Sequence, residues 1–381
     1  MEKDTAEYTP ETTVFAALEL SKATWLLAIH SPDREQPSLY PLKGGDTATL
    51  FARLDRAVEQ RKKRGRRTPR IVVCFEAGFD GFWLARVLEK RAVKSFVMDS
   101  TSLEVNRRAR RAKTDRLDAA KLLRTLMAWC RGEHHVVSMV RVPTRDEEDL
   151  RRSHRERKRL VNERTAHVNR IKGLLFGYGI RELHVKRRYD KIAVDELRTG
   201  DDQPLPPRIA AEIKREIVRL MLVQEQIDVV EEERDAEATN CPESEIKRHR
   251  LIELRGIGPT LAAVLTREVY YRKFDNRRQV GSYIGLAPTP HDSGASESCH
   301  GISKSGNSAV RSVMIEAAWL WLRHQPASRL SAWYRMRTEV HTGRVRRILI
   351  VAMARKLAVA LWRYVEHGVI PEGAICSSPA S

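Results

Sequence analysis

Apolar residues are distributed along this chain in two distinct patterns. Toward the N-terminus they come in short, nearly continuous runs, Val14 to Leu20 and Ile71 to Phe75 among them. Runs of that length, bounded by polar residues, predict strands. Residues 14–30 read as two strands joined at Ser21-Lys22, with a third over Ser38–Leu42. A helix is predicted over Ala48–Arg61. A basic connection then leads to a strand at 71–76, a helix over Gly81–Lys90, a short strand over Ser95–Asp99 and a helix over Asp115–Ala128. Strands first, then strand and helix in alternation, point to an α/β domain with a mixed sheet.

Beyond Thr144 the spacing changes to three and four. One heavily charged helical stretch runs to about Leu175, and a second runs from Pro207 to about Thr239. The second carries Ile209, Ile213, Ile217, Leu220, Val223, Ile227 and Val230 on one stripe. Gly179, Gly200 and the Pro204–Pro207 segment lie between the two stretches. Two long helices joined in this way predict an antiparallel helical arm or coiled coil, serving either as a spacer or as a dimerisation and nucleic-acid-gripping arm. From Leu251 to about Gly368 the chain reads as mostly helical, interrupted by a Gly/Ser-rich loop from Pro288 to Asn307, and residues after Gly373 read as a frayed tail. The resulting division is residues 1–130, 131–245 and 246–381.

Composition narrows the function classes. Lys and Arg number 69 against 50 Asp and Glu, a formal charge of +19, so a polyanionic partner is expected, most simply nucleic acid. A purely structural nucleic-acid-packing role would fit the charge, but 42% hydrophobic residues and seven Trp favour a folded enzyme. The cysteines Cys74, Cys130, Cys241, Cys299 and Cys376 form neither a CxxC pair nor a disulfide framework, which predicts a reducing, cytoplasmic location. No signal peptide is expected from the opening residues. The apolar stretch Ile348–Tyr364 is broken by Arg355, Lys356 and Arg363, so no membrane span is expected. The histidines show no HExxH spacing, and there is neither a GxGxxG nor a Walker A loop.

Four carboxylates stand out against the basic background. Glu19 and Glu76 each end an apolar run, where a charge is costly unless it has a partner such as a metal. In a mixed sheet, parallel neighbouring strands would bring the two side by side. Asp115 and Asp118 are three apart at a helix start, on one face; they also suit the helix dipole without any further role. Together the four are what a two-metal phosphodiester site needs, with Mg²⁺, or Mn²⁺ in its place, held by oxygen ligands. Arg107, Arg108, Arg110, Arg111 and Lys113 surround the aspartates and suit an approaching phosphate backbone.

Two further constellations follow. Leu251–Leu265, with Gly256-Ile-Gly-Pro259 at its centre, reads as a helix-hairpin-helix or as a plain αα-hairpin. In the first reading Gly256 and Gly258 free the backbone to meet a DNA phosphate at the second helix's N-terminus. Ala287–Asn307 is rich in serine and glycine and holds Lys304; taken alone it is a polar surface loop, since a serine nucleophile needs a base, a metal or cations to assist it. Arg170 and Lys172, in the basic stretch 151–172, complete the candidate nucleic-acid contacts along with Lys304.

The order of these motifs resembles a known family over about residues 14–370: the DEDD-type insertion-sequence transposases related to the Piv and MooV invertases, described as bridge-RNA-guided recombinases. The resemblance is carried by Phe75-Glu-Ala-Gly78, Arg111-Ala-Lys-Thr-Asp-Arg-Leu-Asp-Ala119, His167-Val-Asn-Arg-Ile-Lys-Gly173, Gly256-Ile-Gly-Pro259, Tyr283-Ile-Gly-Leu-Ala-Pro288, Ser293-Gly294 and Gly301-Ile-Ser-Lys-Ser-Gly-Asn307. It implies a RuvC-like, RNase H-type N-terminal domain, a coiled-coil connector and a helical transposase domain. The family's four acids map onto Glu19, Glu76, Asp115 and Asp118, and its catalytic serine onto Ser293 in preference to Ser303 or Ser305. The implied reaction is attack of Ser293 on a scissile phosphate, giving phosphoserine-linked DNA and a free 3′-hydroxyl, then strand exchange. Implied partners are donor and target DNA, a noncoding bridge RNA, and further copies of the chain, as dimers pairing into tetramers; the acids and the serine fall in different domains, so a composite site between subunits is implied. One departure is that Glu19 stands where the family normally has Asp. The alternatives are a RuvC-like junction nuclease using water and the four acids alone, or a catalytically impaired relative that only binds nucleic acid.

Overall fold

The computed structural model of this chain describes residues 8–9, 12–30, 36–63, 68–78, 81–100, 102–103, 115–181, 191–236, 242–293, 296–303 and 306–376. These divide into two units, Met1–Pro143 and Thr144–Ser381.

In the first unit the apolar runs become strands: β1 (Thr13–Leu20), β2 (Thr24–Ile29), β3 (Ser38–Lys43), β4 (Arg70–Glu76) and β5 (Lys94–Met98). Their order is β3-β2-β1-β4-β5. The first three form an antiparallel meander, while β4 lies parallel to β1, and β5 parallel to β4. The mixed sheet expected from the sequence is therefore present. Successive side chains on a strand point to opposite faces, and helices cover both. Val14, Ala16, Leu18, Val73 and Phe75 pack with Leu50 and Leu54 of α1 (Thr47–Lys62) and with Leu84 and Leu88 of α2 (Trp83–Lys90). Phe15, Ala17, Val72 and Cys74 pack on the other face with Ala119, Leu122, Leu123 and Leu126 of α3 (Asp115–Cys130). Two covered faces explain why the central strands are apolar without alternation.

The second unit begins with α4 (Arg145–Asp149), started by a Thr144/Glu147 capping box, and continues into α5 (Arg151–Phe176). Helix α6 (Pro207–Ala236) runs back along α5. Cross-helix pairs show the direction: Arg157 meets Glu231, Arg164 meets Gln224 at 3.0 Å, His167 meets Glu216 at 2.6 Å and Arg170 meets Glu212 at 2.6 Å. Numbers rise on α5 as they fall on α6, so the pair is antiparallel. Ile171, Leu175, Ile213, Ile217 and Leu220 fill one section of its seam, and Leu160, Val223 and Ile227 another.

The remaining helices are α7 (Pro242–Glu253), α8 (Pro259–Glu268), α9 (Arg277–Tyr283), α10 (Ser308–His324), α11 (Arg329–Thr338) and α12 (Arg344–His367), around a core that includes Tyr270, Met314, Trp321, Leu357 and Leu361. Two expectations are corrected here. The Gly/Ser-rich segment is a β-hairpin rather than a loop, with β6 (Pro288–Ser293) antiparallel to β7 (Ser296–Ile302). Its pairing is made by backbone groups, so a sequence without apolar alternation gave no strand signal. The segment after Gly373 is pinned as far as Cys376: Gln325 donates to the Ile375 carbonyl at 2.8 Å and accepts from the Ile375 N–H at 2.7 Å, and Cys376 bridges to Leu254.

Candidate functional site

The strand register decides where the first two acids go. Leu18 of β1 pairs with Phe75 of β4 in a parallel ladder, so Glu19 and Glu76 stand level, one residue further along adjacent strands. By alternation Glu19 follows Phe15 and Ala17, and Glu76 follows Val72 and Cys74, which puts both on the face covered by α3. Each is half-buried. Helix α3 approaches the same rows, since the Cys74 thiol donates to the Leu122 carbonyl at 3.6 Å. Asp118 lies one turn before Leu122, half-buried, and Asp115 lies in the first turn, exposed. The four acids thus share one face of one unit, and all are hard oxygen donors of the kind Mg²⁺ takes. Their chemistry fits a divalent cation. Among the described residues, however, no three His, Cys, Asp or Glu side chains are gathered closely enough to hold an ion. The basic cluster Arg107, Arg108, Arg110, Arg111 and Lys113 lies outside the described residues.

In the second unit, Ser293 ends β6 opposite Ser296, beside the hairpin tip; its position is given by the backbone. Lys304 and Ser305 lie outside the described residues. Ser303 is described: its N–H donates to the Ala287 carbonyl at 2.9 Å, closing the root of the hairpin. Its hydroxyl oxygen is sealed from solvent. The α7–α8 turn fits a helix-hairpin-helix and a plain αα-hairpin alike. Gly256 takes φ +87° and a Cβ there would lie 2.9 Å from His324 Cβ, Ile257 is buried, and exposed Gly258 opens α8 with Pro259 at its first position. Arg170 and Lys172 are exposed on the arm, with Arg170 engaged by Glu212.

The structure also reveals a polar centre that the sequence reading missed. Glu268, 3% exposed at the end of α8, accepts from His154 Nε2 at 2.8 Å, from Arg155 Nε at 2.6 Å and Nη2 at 3.0 Å, and from Asn307 Nδ2 at 3.1 Å. Its own backbone carbonyl accepts from the Tyr283 hydroxyl at 2.8 Å. Burial pulls the Glu268 carboxyl upward, but the hydrogen bonds from His154 and Arg155 and the Arg155 charge outweigh it and hold the group at about 2. Burial pushes His154 below its ordinary value despite the carboxylate beside it. A neutral imidazole donating through Nε2 fits both directions. The one available signal was the Arg267-Glu268 pair interrupting the mostly apolar run Leu261–Tyr270.

Comparison with known proteins finds two family models along the chain. A family model described as Transposase IS116/IS110/IS902 family matches residues 248–334, and a DEDD transposase model of the IS110 type matches residues 45–180. A putative transposase, y4rJ, from Sinorhizobium fredii is 47% identical over 377 residues, covering 96% of this chain and 95% of the relative. The chain belongs to the IS116/IS110/IS902 transposase family. The transposase for insertion sequence element IS1111A of Coxiella burnetii is 31% identical over 58% of this chain and 59% of its own length. A probable family 20 transposase of Pseudomonas aeruginosa is 29% identical over 58% and 65%. The chain is accordingly a DNA transposase, and its DEDD-type domain implies divalent-metal dependence and is in keeping with an RNase H-like fold for the first unit. Glu76, Asp115 and Asp118 fall within the DEDD match, and Glu19 precedes it. Ser293, Gly256, Gly258, Glu268 and Asn307 fall within the 248–334 match, and His154 and Arg155 within the 45–180 match. Among the described residues no helix is long and apolar enough to cross a membrane.

Proposed function

We propose that this transposase cuts and rejoins DNA through a covalent serine intermediate, with Ser293 as the nucleophile and Glu19, Glu76, Asp115 and Asp118 as holders of Mg²⁺. The observation that carries the reading is the level placement of Glu19 and Glu76 at adjacent strand ends, on the face covered by the helix that bears both aspartates. A divalent cation there would make a scissile phosphate more electrophilic and offset its charge. Ser293 Oγ attacks phosphorus, the bond to the 3′ oxygen breaks, and the 3′-hydroxyl leaves with a proton, giving a phosphoserine linked to the 5′ side. Ser303 is disfavoured because its hydroxyl is sealed from solvent. Arg107, Arg108, Arg110, Arg111, Lys113, Arg170, Lys172, Lys304 and the Gly256/Gly258 turn would carry phosphate contacts. A noncoding bridge RNA, and dimers pairing into tetramers through an arm spanning residues 131–245, complete the proposal, which rests for these partners on family resemblance.

The test is covalent capture. Wild-type protein, Mg²⁺, a duplex carrying the element's ends and the transcript of its flanking noncoding segment should yield a protein–DNA adduct stable to denaturant. Ser293→Ala should yield none and Ser303→Ala should retain it. An adduct persisting in Ser293→Ala overturns the assignment. Cleavage without any adduct in wild type points instead to a junction nuclease that uses water.

A further inference from the structure

The hairpin that bears Ser293 is rooted at two backbone points. At one, Ser303 donates to the Ala287 carbonyl at 2.9 Å; at the other, Asn307 N–H donates to the Tyr283 carbonyl at 3.3 Å. Gly306, between them, is pressed against that Tyr283 carbonyl so closely that a Cβ would lie 2.3 Å from its oxygen, and its φ is +94°. Tyr283 and Asn307 in turn both reach Glu268, one through its hydroxyl to the Glu268 carbonyl and the other through its side-chain amide to Oε2. Glu268 is also held by His154 and Arg155, near the start of the arm helix α5. Alongside, Arg151 Nε donates to the Arg267 carbonyl at 3.0 Å, and Arg267 donates to the Leu150 carbonyl and to Ser153 Oγ, both at 2.9 Å. The Glu268 side chain therefore touches the arm base and the hairpin root at once.

The chemistry at Asn307 separates two roles of one residue. Its Oδ1 accepts from the N–H groups of Ala309 and Val310 and caps α10, while its Nδ2 donates to Glu268. A helix cap needs only the acceptor, and Asp or Ser serves as well as Asn. The donor half is surplus to capping.

We propose that Glu268 is a positioning residue for the serine hairpin, acting through the Asn307 amide and anchored by His154 and Arg155, so that the base of the arm and the hairpin root are held as one element. The consequence for catalysis rests on Ser293 being the nucleophile; the mechanical link does not. A hydrogen bond to a buried carboxylate is worth about 1.5–3 kcal/mol, so removing the Asn307 donor should raise the opening of the hairpin root on the order of ten- to a hundredfold.

Three variants of the full-length protein test this, with Glu268→Gln as a reference. Asn307→Ser keeps the cap and removes the donor. Asn307→Asp keeps the cap and sets carboxylate against carboxylate. Asn307→Asp with Glu268→Gln exchanges the roles of the pair and is read against Glu268→Gln, because Arg155 and His154 face an amide in both. Hydrogen exchange of the protein alone should show faster exchange at the Ser303 and Asn307 amides in Asn307→Ser and faster still in Asn307→Asp, whereas adding Asn307→Asp to Glu268→Gln should speed exchange no further. The amides of α10 should stay protected in Asn307→Ser and Asn307→Asp. Single-turnover strand cleavage should follow the same order, with the affinity for the end-bearing duplex unchanged. Wild-type exchange in Asn307→Ser, loosening of α10 together with the hairpin in either Asn307 variant, or further loosening when Asn307→Asp is added to Glu268→Gln overturns the proposal. Failure of Ser293→Ala to block adduct formation would overturn the nucleophile assignment alone, because the exchange measurement does not depend on it.

Discussion

Acidification should weaken the second unit in a way traceable to one carboxylate. Glu268 is held at about 2 against an ordinary 4.5. That gap of roughly 2.5 units corresponds to about 3 kcal/mol of stability at neutral pH. The folded value lies below the unfolded one, so the unfolded chain binds the extra proton. The stability is fully present above the unfolded value and is lost as pH falls from about 4.5 toward about 2. By pH 3 the unfolded carboxyl is nearly all protonated while the folded one is still ionised, and about 2 kcal/mol of the total is gone. His154 acts in the same sense from higher pH: its folded value is lowered, so below about 6.5 the unfolded chain takes up a proton that the buried imidazole refuses. The assay is urea denaturation followed by hydrogen-exchange mass spectrometry on peptides from α8 and α10, which keeps the reading local to the second unit. Glu268→Gln should lie several kcal/mol below wild type at pH 7, since it leaves Arg155 and His154 facing an amide. The gap should close by about 2 kcal/mol at pH 3. A gap that stays constant from pH 7 to pH 3 would refute the depressed carboxyl and with it the account of how this centre is held.

Other outcomes follow from the geometry. Gly306→Ala should cost roughly 3 kcal/mol or prevent folding of the second unit, because a left-handed φ and a contact with the Tyr283 carbonyl both oppose a side chain; thermal unfolding checks it. Glu76→Gln should abolish strand cleavage without lowering thermal stability, and the rise in melting temperature that Mg²⁺ or Mn²⁺ gives the wild type should disappear; an unchanged metal response would remove Glu76 from the site. Leu220→Ala, at a fully buried seam position of the arm, should destabilise by about 2–5 kcal/mol through the cavity left behind; urea denaturation monitored by exchange in α5 and α6 peptides measures it.

How much of this was legible in the sequence depended on whether the evidence was local. Glu19 and Glu76 could be found because a charge interrupts an apolar run, and their level placement followed once β1 and β4 were expected to be parallel neighbours. The arm was legible because its seam repeats every three or four residues. The hairpin was not: Pro288–Ser293 and Ser296–Ile302 contain almost nothing apolar, and backbone pairing leaves no trace in side-chain pattern. Glu268 obeyed the same rule as Glu19 and Glu76, a carboxylate inside an apolar stretch, yet its partners His154 and Arg155 lie 114 and 113 residues away. Sequence spacing can say that a carboxylate in such a run must be compensated. Only the fold shows that the chain supplies a cation at Glu268, the Arg155 guanidinium, with the His154 imidazole as a further donor. Glu268 is met from within by Arg155 and His154, whereas the level placement of Glu19 and Glu76 at adjacent strand ends is what the proposed metal site rests on.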